Sequence, residues 1–272
     1  MDDQDHPLTH QIVQAGPDAL AEMLDLERLE TDFFRGTYVL EEPFPFYGGQ
    51  VLAQALVAAG RTVDPDRHVH SLHAYFLRPG DAKQPTVFQV FRDRDGRSYS
   101  ARRVVAIQNG QVILNLSSSF SIGSTGPDLV DVAMPQVSGP TRPYQRFHRL
   151  FSFEGALTET DVTPLSRPDR FWLRCVADLG EDPLLHAAAL TYGSDISSGL
   201  VRLHGPEGRR GPSLDHAVWF HEPVRADGWL LQDMRPERTG AGRGLYSGHI
   251  FTQDGRLVAT FSQESLFGAP RR

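Results

Sequence analysis

The second half of this chain repeats the first, and this constrains its fold more than any other feature. Residues 71–79 read Ser-Leu-His-Ala-Tyr-Phe-Leu-Arg-Pro, and residues 213–223 read Ser-Leu-Asp-His-Ala-Val-Trp-Phe-His-Glu-Pro. Gln108-Asn109-Gly110-Gln111-Val112-Ile113 is echoed by Gln253-Asp254-Gly255-Arg256-Leu257-Val258. The two matches keep their order and nearly one spacing, 71 to 213 and 108 to 253. Two copies make a tandem pair rather than a solenoid. Polar residues present in only one copy then become the candidates for chemistry.

The chain has 272 residues, 40% of them hydrophobic and 22% charged, as expected for a folded globular protein. Its 34 acidic residues outnumber 27 Lys plus Arg, for a net charge of −7. That balance argues against a nucleic-acid partner, which calls for a basic excess. It leaves room for an anionic small molecule, because local arginines decide that binding. The lone cysteine, Cys175, excludes an intrachain disulfide. It lies in the apolar run Phe171-Trp172-Leu173-Arg174-Cys175-Val176 and reads as a buried structural thiol. The start, Met1-Asp2-Asp3-Gln4-Asp5, lacks the apolar centre of a signal peptide. No stretch reaches the roughly 18–20 apolar residues of a membrane span. The end, Ala269-Pro270-Arg271-Arg272, lacks a Ser-Lys-Leu peroxisomal address. A cytoplasmic protein without membrane contact is expected.

Residues 17–30 space Leu20, Met23, Leu24 and Leu26 as a short amphipathic helix, and Phe33, Phe34 and Tyr38 suggest a strand. Val51–Ala59, entered through Phe46-Tyr47-Gly48-Gly49-Gln50 and closed by Gly60, is apolar almost all round and predicts a buried helix. Strands are predicted over 69–77, 86–91, 98–108 and 111–120, with a turn over 93–96 and an Asn109-Gly110 hairpin. Seven glycines and prolines across 122–146 mark a linker. The plan then recurs: a strand at 171–176, a helix at 183–192 with Pro183 in its first turn, and strands at 216–220, 229–234, 244–252 and 256–266. The expected class is α+β, with units at 1–122 and 147–272 joined by a linker at 123–146. Each unit is a curved antiparallel sheet wrapping one buried helix, and the two sheets meet edge to edge, which removes an exposed edge from each.

Phosphate-cradling and dinucleotide glycine loops are absent, as are the Gly-x-Ser-x-Gly elbow, His-Glu-x-x-His and cysteine clusters. No metal and no cofactor are therefore expected. His216 and His221 stand at odd spacing on one strand, on opposite faces, and read as packing or surface groups. What remains is water activated by polar side chains. Asp195 follows the second buried helix, Ser213 opens the strand that mirrors Ser71, and Gln263 interrupts an apolar final strand opposite Ser118 of the first copy. Asp215, two residues beyond Ser213, is predicted to share its strand face, and spacing does not choose between Asp195 and Asp215.

Several long stretches resemble the acyl-CoA thioesterase II family. They are Phe46-Tyr47-Gly48-Gly49-Gln50-Val51-Leu52-Ala53-Gln54-Ala55-Leu56, then His70 to Asp81, Gly96 to Val104, and Leu214-Asp215-His216-Ala217-Val218-Trp219-Phe220-His221. The resemblance keeps its order from about residue 30 to residue 266. It implies a double hotdog fold, acyl-CoA as substrate and a homodimer or higher homo-oligomer. It also implies a catalytic Asp, Thr or Ser, and Gln, which here fall on Asp195, Ser213 and Gln263. Many relatives carry threonine at the Ser213 position, so the hydroxyl is kept and the methyl that limits its rotamers is lost.

A thioester carbonyl is electrophilic enough to need no metal. Asp195 would take the proton of the attacking water, and Ser213 and Gln263 would hold that water in line. Backbone N–H groups near Gly49-Gln50 are candidate oxyanion donors. Arg78, Arg97, Arg102 and Arg103 are candidates for the nucleotide phosphates, with Arg102 and Arg103 on opposite faces of one strand. Two alternatives stay open. A hydratase of hotdog type would need an Asp and a His working in one pocket, and an acyl-CoA-binding protein would need no water-holding set.

Overall fold

A computed structural model describes residues 16–38, 46–123, 126–144, 150–158, 168–196, 199–200, 203 and 209–268. The two termini read above, 1–5 and 269–272, lie outside the described residues.

The first half begins with α1 (Ala19–Leu24), β1 (Glu27–Glu30) and β2 (Phe33–Gly36), followed by the long helix α2 (Gly48–Gly60). Four strands come next, β3 (His68–Phe76), β4 (Thr86–Asp95), β5 (Tyr99–Gln108) and β6 (Gln111–Ser121). The second half holds β7 (Arg142–Tyr144), β8 (Phe153–Leu157), β9 (Arg170–Cys175) and helix α3 (Pro183–Ser194). It finishes with β10 (Arg209–Ser213), β11 (Asp215–Phe220), β12 (Leu230–Gly240), β13 (Arg243–Thr252) and β14 (Leu257–Gly268). The class is α+β, as the sequence predicts.

All strands join one antiparallel sheet in the order β1-β2-β4-β5-β6-β3-β11-β14-β13-β12-β9-β8-β7, with β10 also on β14. Outward from the β3–β11 seam, the first half runs β3-β6-β5-β4-β2 and the second β11-β14-β13-β12-β9. This is the same order of equivalent strands, so the duplication is visible in the topology. The seam pairs Asp215 with Tyr75, Ala217 with His73 and Trp219 with Ser71. It closes the edges that β3 and β11 would otherwise expose.

Helices α2 and α3 pack against each other under this sheet, running in opposite directions. Added methyl groups would bring Gly49 onto Tyr192 O and Gly60 onto Leu184. Every residue from Gly49 to Ala59 is buried, as an apolar-all-round helix requires. One core links the halves, with Leu52, Leu56, Phe88 and Phe120 of the first and Leu190, Phe171, Tyr246 and Phe261 of the second.

Three differences from the sequence expectation have physical causes. The first helix stops at Leu24 and residues 27–30 form an exposed strand on β2. Glu-Arg-Leu-Glu favours helix locally, but pairing with β2 overrides it. Asp93 to Asp95 continue β4, and the turn falls at Gly96 to Ser98. The short β7, inside the stretch read as linker, and β8 extend the outer edge beyond β9.

Candidate active site

Asp195 owes its position to α3. Pro183 occupies the first turn, where a missing N–H costs nothing, and the Asp182 carboxylate caps the helix by accepting Leu184 N–H at 2.9 Å. The helix ends at Ser194, which leaves Asp195 as its C-cap, only 4% exposed. A carboxylate there meets the negative end of its own helix dipole. The compensating positive end belongs to α2 of the other half. A methyl group at Gly48 would stand 2.6 Å from Asp195 Oδ2 and 2.9 Å from the Phe76 ring.

Gln263 ties the second-half residues together. Its amide Nε2 donates to Asp195 Oδ1 at 2.7 Å and to Ser213 Oγ. Its Oε1 accepts from the Tyr246 hydroxyl and lies 3.1 Å from His216 Nδ1. His216 Nε2 in turn lies 2.8 Å from Ser194 Oγ. Gln263, Tyr246 and His216 have no exposed surface. Burial pushes the His216 pKa down to about 4, so the imidazole is neutral at pH 7. His221, on the outer end of the same strand, bonds Thr260 Oγ1 instead.

A bulge decides between the two aspartates. Ser213 pairs with Ser265 of β14, whereas Ala217 pairs with Ser262, so the strand shifts register at Leu214. The extra residue reverses the alternation. Ser213 therefore reaches Gln263 on the same side as His216, while Asp215 Oδ1 accepts Glu264 N–H at 2.7 Å. The expectation that Asp215 shares a face with Ser213 fails for this reason, because strict alternation assumes an unbroken strand.

The N-terminus of α2 completes the site. Tyr47 precedes it without a side-chain cap, and Gln50 N–H and Val51 N–H both turn back to Tyr47 O. The Gly48 and Gly49 N–H groups are thus left without a partner among the described residues, as first-turn donors are. Of the expected donors, the backbone N–H of Gln50 is committed. Its buried side-chain Nε2 has no hydrogen-bond partner among the described residues. Tyr47 locks the helix ends together, donating its hydroxyl to Tyr192 O at 2.9 Å with the two rings edge to face at 5.1 Å.

The four arginines are not brought together. Arg78, exposed, lies two residues past Phe76 at the Asp195 end and donates to Val112 O at 2.7 Å. Arg97 is exposed in the β4–β5 turn, at the opposite end of the strands. Arg103 lies on the outer face over the Phe91 ring, 4.1 Å from its centroid. Arg102 is a correction to the phosphate reading. Its side chain is 1% exposed, and its five N–H groups reach Thr62 Oγ1, Thr62 O, Arg94 O, Ala101 O and Asp95 Oδ1. A guanidinium has five donors, so none is left for a ligand.

Arg102 also shows what the other half became. Arg102 faces Ser118 across β5 and β6, as Tyr246 faces Gln263 across β13 and β14. Arg102 reaches Thr62 just past α2, as Gln263 reaches Asp195 just past α3. At that equivalent end the C-cap place that Asp195 holds on α3 is taken by Arg61 on α2, and the helix N-terminus there is the one capped by Asp182. A cavity of about 600 Å³ opens at that end, lined by Val63, Val69, Phe120, Leu184, Phe220 and Val224 among others. It is remote from Asp195. No group of three His, Cys, Asp or Glu among the described residues is placed to hold a metal.

Sequence reasoning missed His216, Tyr246 and Gly48. His216 stands in the same motif as Ser213, and its face was read correctly as opposite to His221. Only the fold shows that this face meets Gln263. Tyr246 carries no sequence signal beyond being a buried-face aromatic.

Known proteins agree with this architecture. The family model described as Acyl-CoA thioesterase N-terminal domain matches residues 42–121, and the one described as Acyl-CoA thioesterase C-terminal domain matches 128–267. Human Acyl-coenzyme A thioesterase 8 is 35% identical over 277 residues, covering 90% of this chain and 87% of that protein. Acyl-CoA thioesterase 2 of Haemophilus influenzae is 33% identical, covering 91% and 96%. Among solved structures, Acyl-CoA thioesterase II TesB2 from Mycobacterium marinum is 41% identical with a TM-score of 0.79, covering 93% of this chain and 98% of that one. A protein of unknown function with a hot dog fold from Alicyclobacillus acidocaldarius, 21% identical, superposes with a TM-score of 0.76 over 93% and 99%. The fold is therefore of hotdog type, and the chain belongs to the acyl-CoA thioesterase II family.

Proposed function

We propose that this chain hydrolyses acyl-CoA to a free fatty acid and CoA through a water activated by Asp195, within a double hotdog whose two units are 1–122 and 147–272. The observation that carries the mechanism is the buried Gln263 amide, which binds Asp195 Oδ1 and the half-buried Ser213 Oγ in one cluster facing the open end of α2.

In this reading Asp195 takes a proton from water as it attacks the thioester carbonyl. Ser213 and Gln263 orient that water. The uncapped Gly48 and Gly49 N–H groups receive the oxyanion, where fixed donors act most strongly. The collapse of the tetrahedral intermediate expels the CoA thiolate, which takes a proton to leave as the thiol. Arg78, the one of the four candidate arginines at this end, is the candidate for a CoA phosphate; Arg97 and Arg103 are remote from it. A homodimer or higher oligomer and a cytoplasmic setting complete the proposal.

A hydratase needs a histidine nitrogen free for substrate. His216 has both ring nitrogens bonded inside the protein, which favours the hydrolase. The test is thiol release from acyl-CoAs of graded chain length by the native protein, Asp195→Asn and Gln263→Ala. Each variant is expected to lose at least about 100-fold in kcat while staying folded. Turnover at the native rate in Asp195→Asn would move the base elsewhere.

A further inference from the structure

We infer that His216 and Tyr246 are positioning residues that hold the Gln263 amide with its NH2 group toward Asp195 and Ser213 throughout turnover. The inference rests on the catalytic reading above and extends it to the two side chains that bond the inner face of the Gln263 amide.

The hydrogen-bond directions follow from chemistry. A carboxylate only accepts, so the atom 2.7 Å from Asp195 Oδ1 must be the amide nitrogen. The amide oxygen then faces inward and needs donors. The Tyr246 hydroxyl is one, and a proton on His216 Nδ1 is the other. A neutral imidazole carries one proton, so with Nδ1 protonated Nε2 must accept; the Ser194 hydroxyl, 2.8 Å from Nε2 and 2.9 Å from Thr191 O, then gives its one proton to the ring rather than to that carbonyl. The chain therefore runs one way. Ser194 donates to His216, His216 and Tyr246 donate to Gln263, and Gln263 donates to Asp195 and Ser213. The Ser213 oxygen accepts from the amide, which leaves its own proton for the water or substrate side.

The two inner donors matter because Asp195 changes during the reaction. As a carboxylate it selects the amide nitrogen by itself. Once it has taken a proton from water it is also a donor, and it would bind a flipped amide oxygen equally well. Two fixed donors on Oε1 forbid that flip. A flipped amide would oppose its NH2 to the Tyr246 and His216 protons, and an amide oxygen to the next Asp195 carboxylate. With all these groups buried, such mispairing is costly.

The test is steady-state thiol release by Tyr246→Phe, His216→Leu and His216→Asn, beside Tyr246→Phe combined with Gln263→Ala. Tyr246→Phe and His216→Leu are each expected to cut kcat at least about 10-fold with KM within about 3-fold. His216→Asn keeps an N–H at the δ position and is expected to restore kcat to within about 3-fold of native. In the Gln263→Ala background, Tyr246→Phe is expected to add no further loss, because its effect passes through that amide. If His216→Leu fails to fold, Tyr246→Phe, which removes one oxygen atom, carries the kinetic test. Nitrogen-15 NMR of the native protein should place the His216 proton on Nδ1. A proton on Nε2, native kcat in Tyr246→Phe, or an undiminished further loss in the Gln263→Ala background would overturn the inference. Native turnover by Gln263→Ala itself would instead overturn the catalytic reading.

Discussion

At the scale of single residues, His216 links the site to stability. Above pH 6.5, its ordinary pKa, native and unfolded chains both hold it neutral. As pH falls toward 4, the unfolded chain takes a proton that the buried ring refuses. The unfolded state then binds more protons, so stability falls with pH, by about 2 kcal/mol at pH 5 and about 3 kcal/mol at pH 4 from this group. Urea unfolding at pH 7 and pH 5 should show that drop in the native protein, and a drop smaller by about 2 kcal/mol in His216→Asn. Equal drops would mean that the ring is protonated in the fold. Cys175 fits its reading as an inert thiol, since burial raises its pKa to about 11. Asp195, Ser213 and Gln263 were legible through the family resemblance, where spacing alone left Asp195 and Asp215 open, and the fold gathers the three. Arg102 was misread because a buried arginine with five internal acceptors looks, in sequence, like any strand arginine. Asp215 was left open because a bulge leaves no mark in the residue spacing.

At the scale of elements, the two glycines that open α2 have different jobs. A methyl at Gly48 meets the Asp195 carboxylate and the Phe76 ring, which are both side chains that can move. Gly48→Ala is expected to keep nearly native stability and to lose about 100-fold in kcat, since a shift of about 1 Å in a catalytic group is enough for that. A methyl at Gly49 stands 2.5 Å from the Tyr192 carbonyl, which is backbone and cannot move without shifting α3. Gly49→Ala should therefore destabilise by about 1–3 kcal/mol, read from thermal or urea unfolding. If Gly48→Ala turned over at the native rate, the open end of α2 would not be the reacting end. The helices and most strands were readable from periodicity. The Asn109-Gly110 hairpin was too, because both residues adopt positive φ, at 47° and 73°. Its echo at Asp254-Gly255 is a longer turn in which Gly255 alone of the pair has positive φ. The strands β1, β7, β8 and β10 were not readable, because pairing with a neighbour creates them and their own residues carry little alternation.

At the scale of the whole molecule, one duplicated plan carries two unequal ends. At one, the uncapped α2 meets Asp195, so each half contributes part of the site. At the other, Arg61 holds the C-cap place of Asp195, Arg102 bonds Thr62 and Asp182 closes the helix, and a cavity of about 600 Å³ opens there. The cavity points to the second end as the reacting one, while the cluster of Asp195, Ser213 and Gln263 points to the first. A carbonyl needs a base and donors, and the carboxylates that line the cavity are engaged elsewhere: Asp64 with Arg67, Asp182 with the Leu184 N–H and Glu222 with Arg256. The two criteria separate in one experiment. Val63 is half-buried and lines the cavity, far from Gly48. Val63→Trp should fill much of that space and leave kcat and KM within about 3-fold of native across acyl-CoA chain lengths, as expected for a site that shares no partner with the reacting one. A KM that rises only for the longest chains, with kcat kept, would mean that the acyl tail passes between α2 and α3 and ends in this cavity. A collapse of kcat for every substrate would move the chemistry itself to the Arg102 end, and with it the assignment of Asp195.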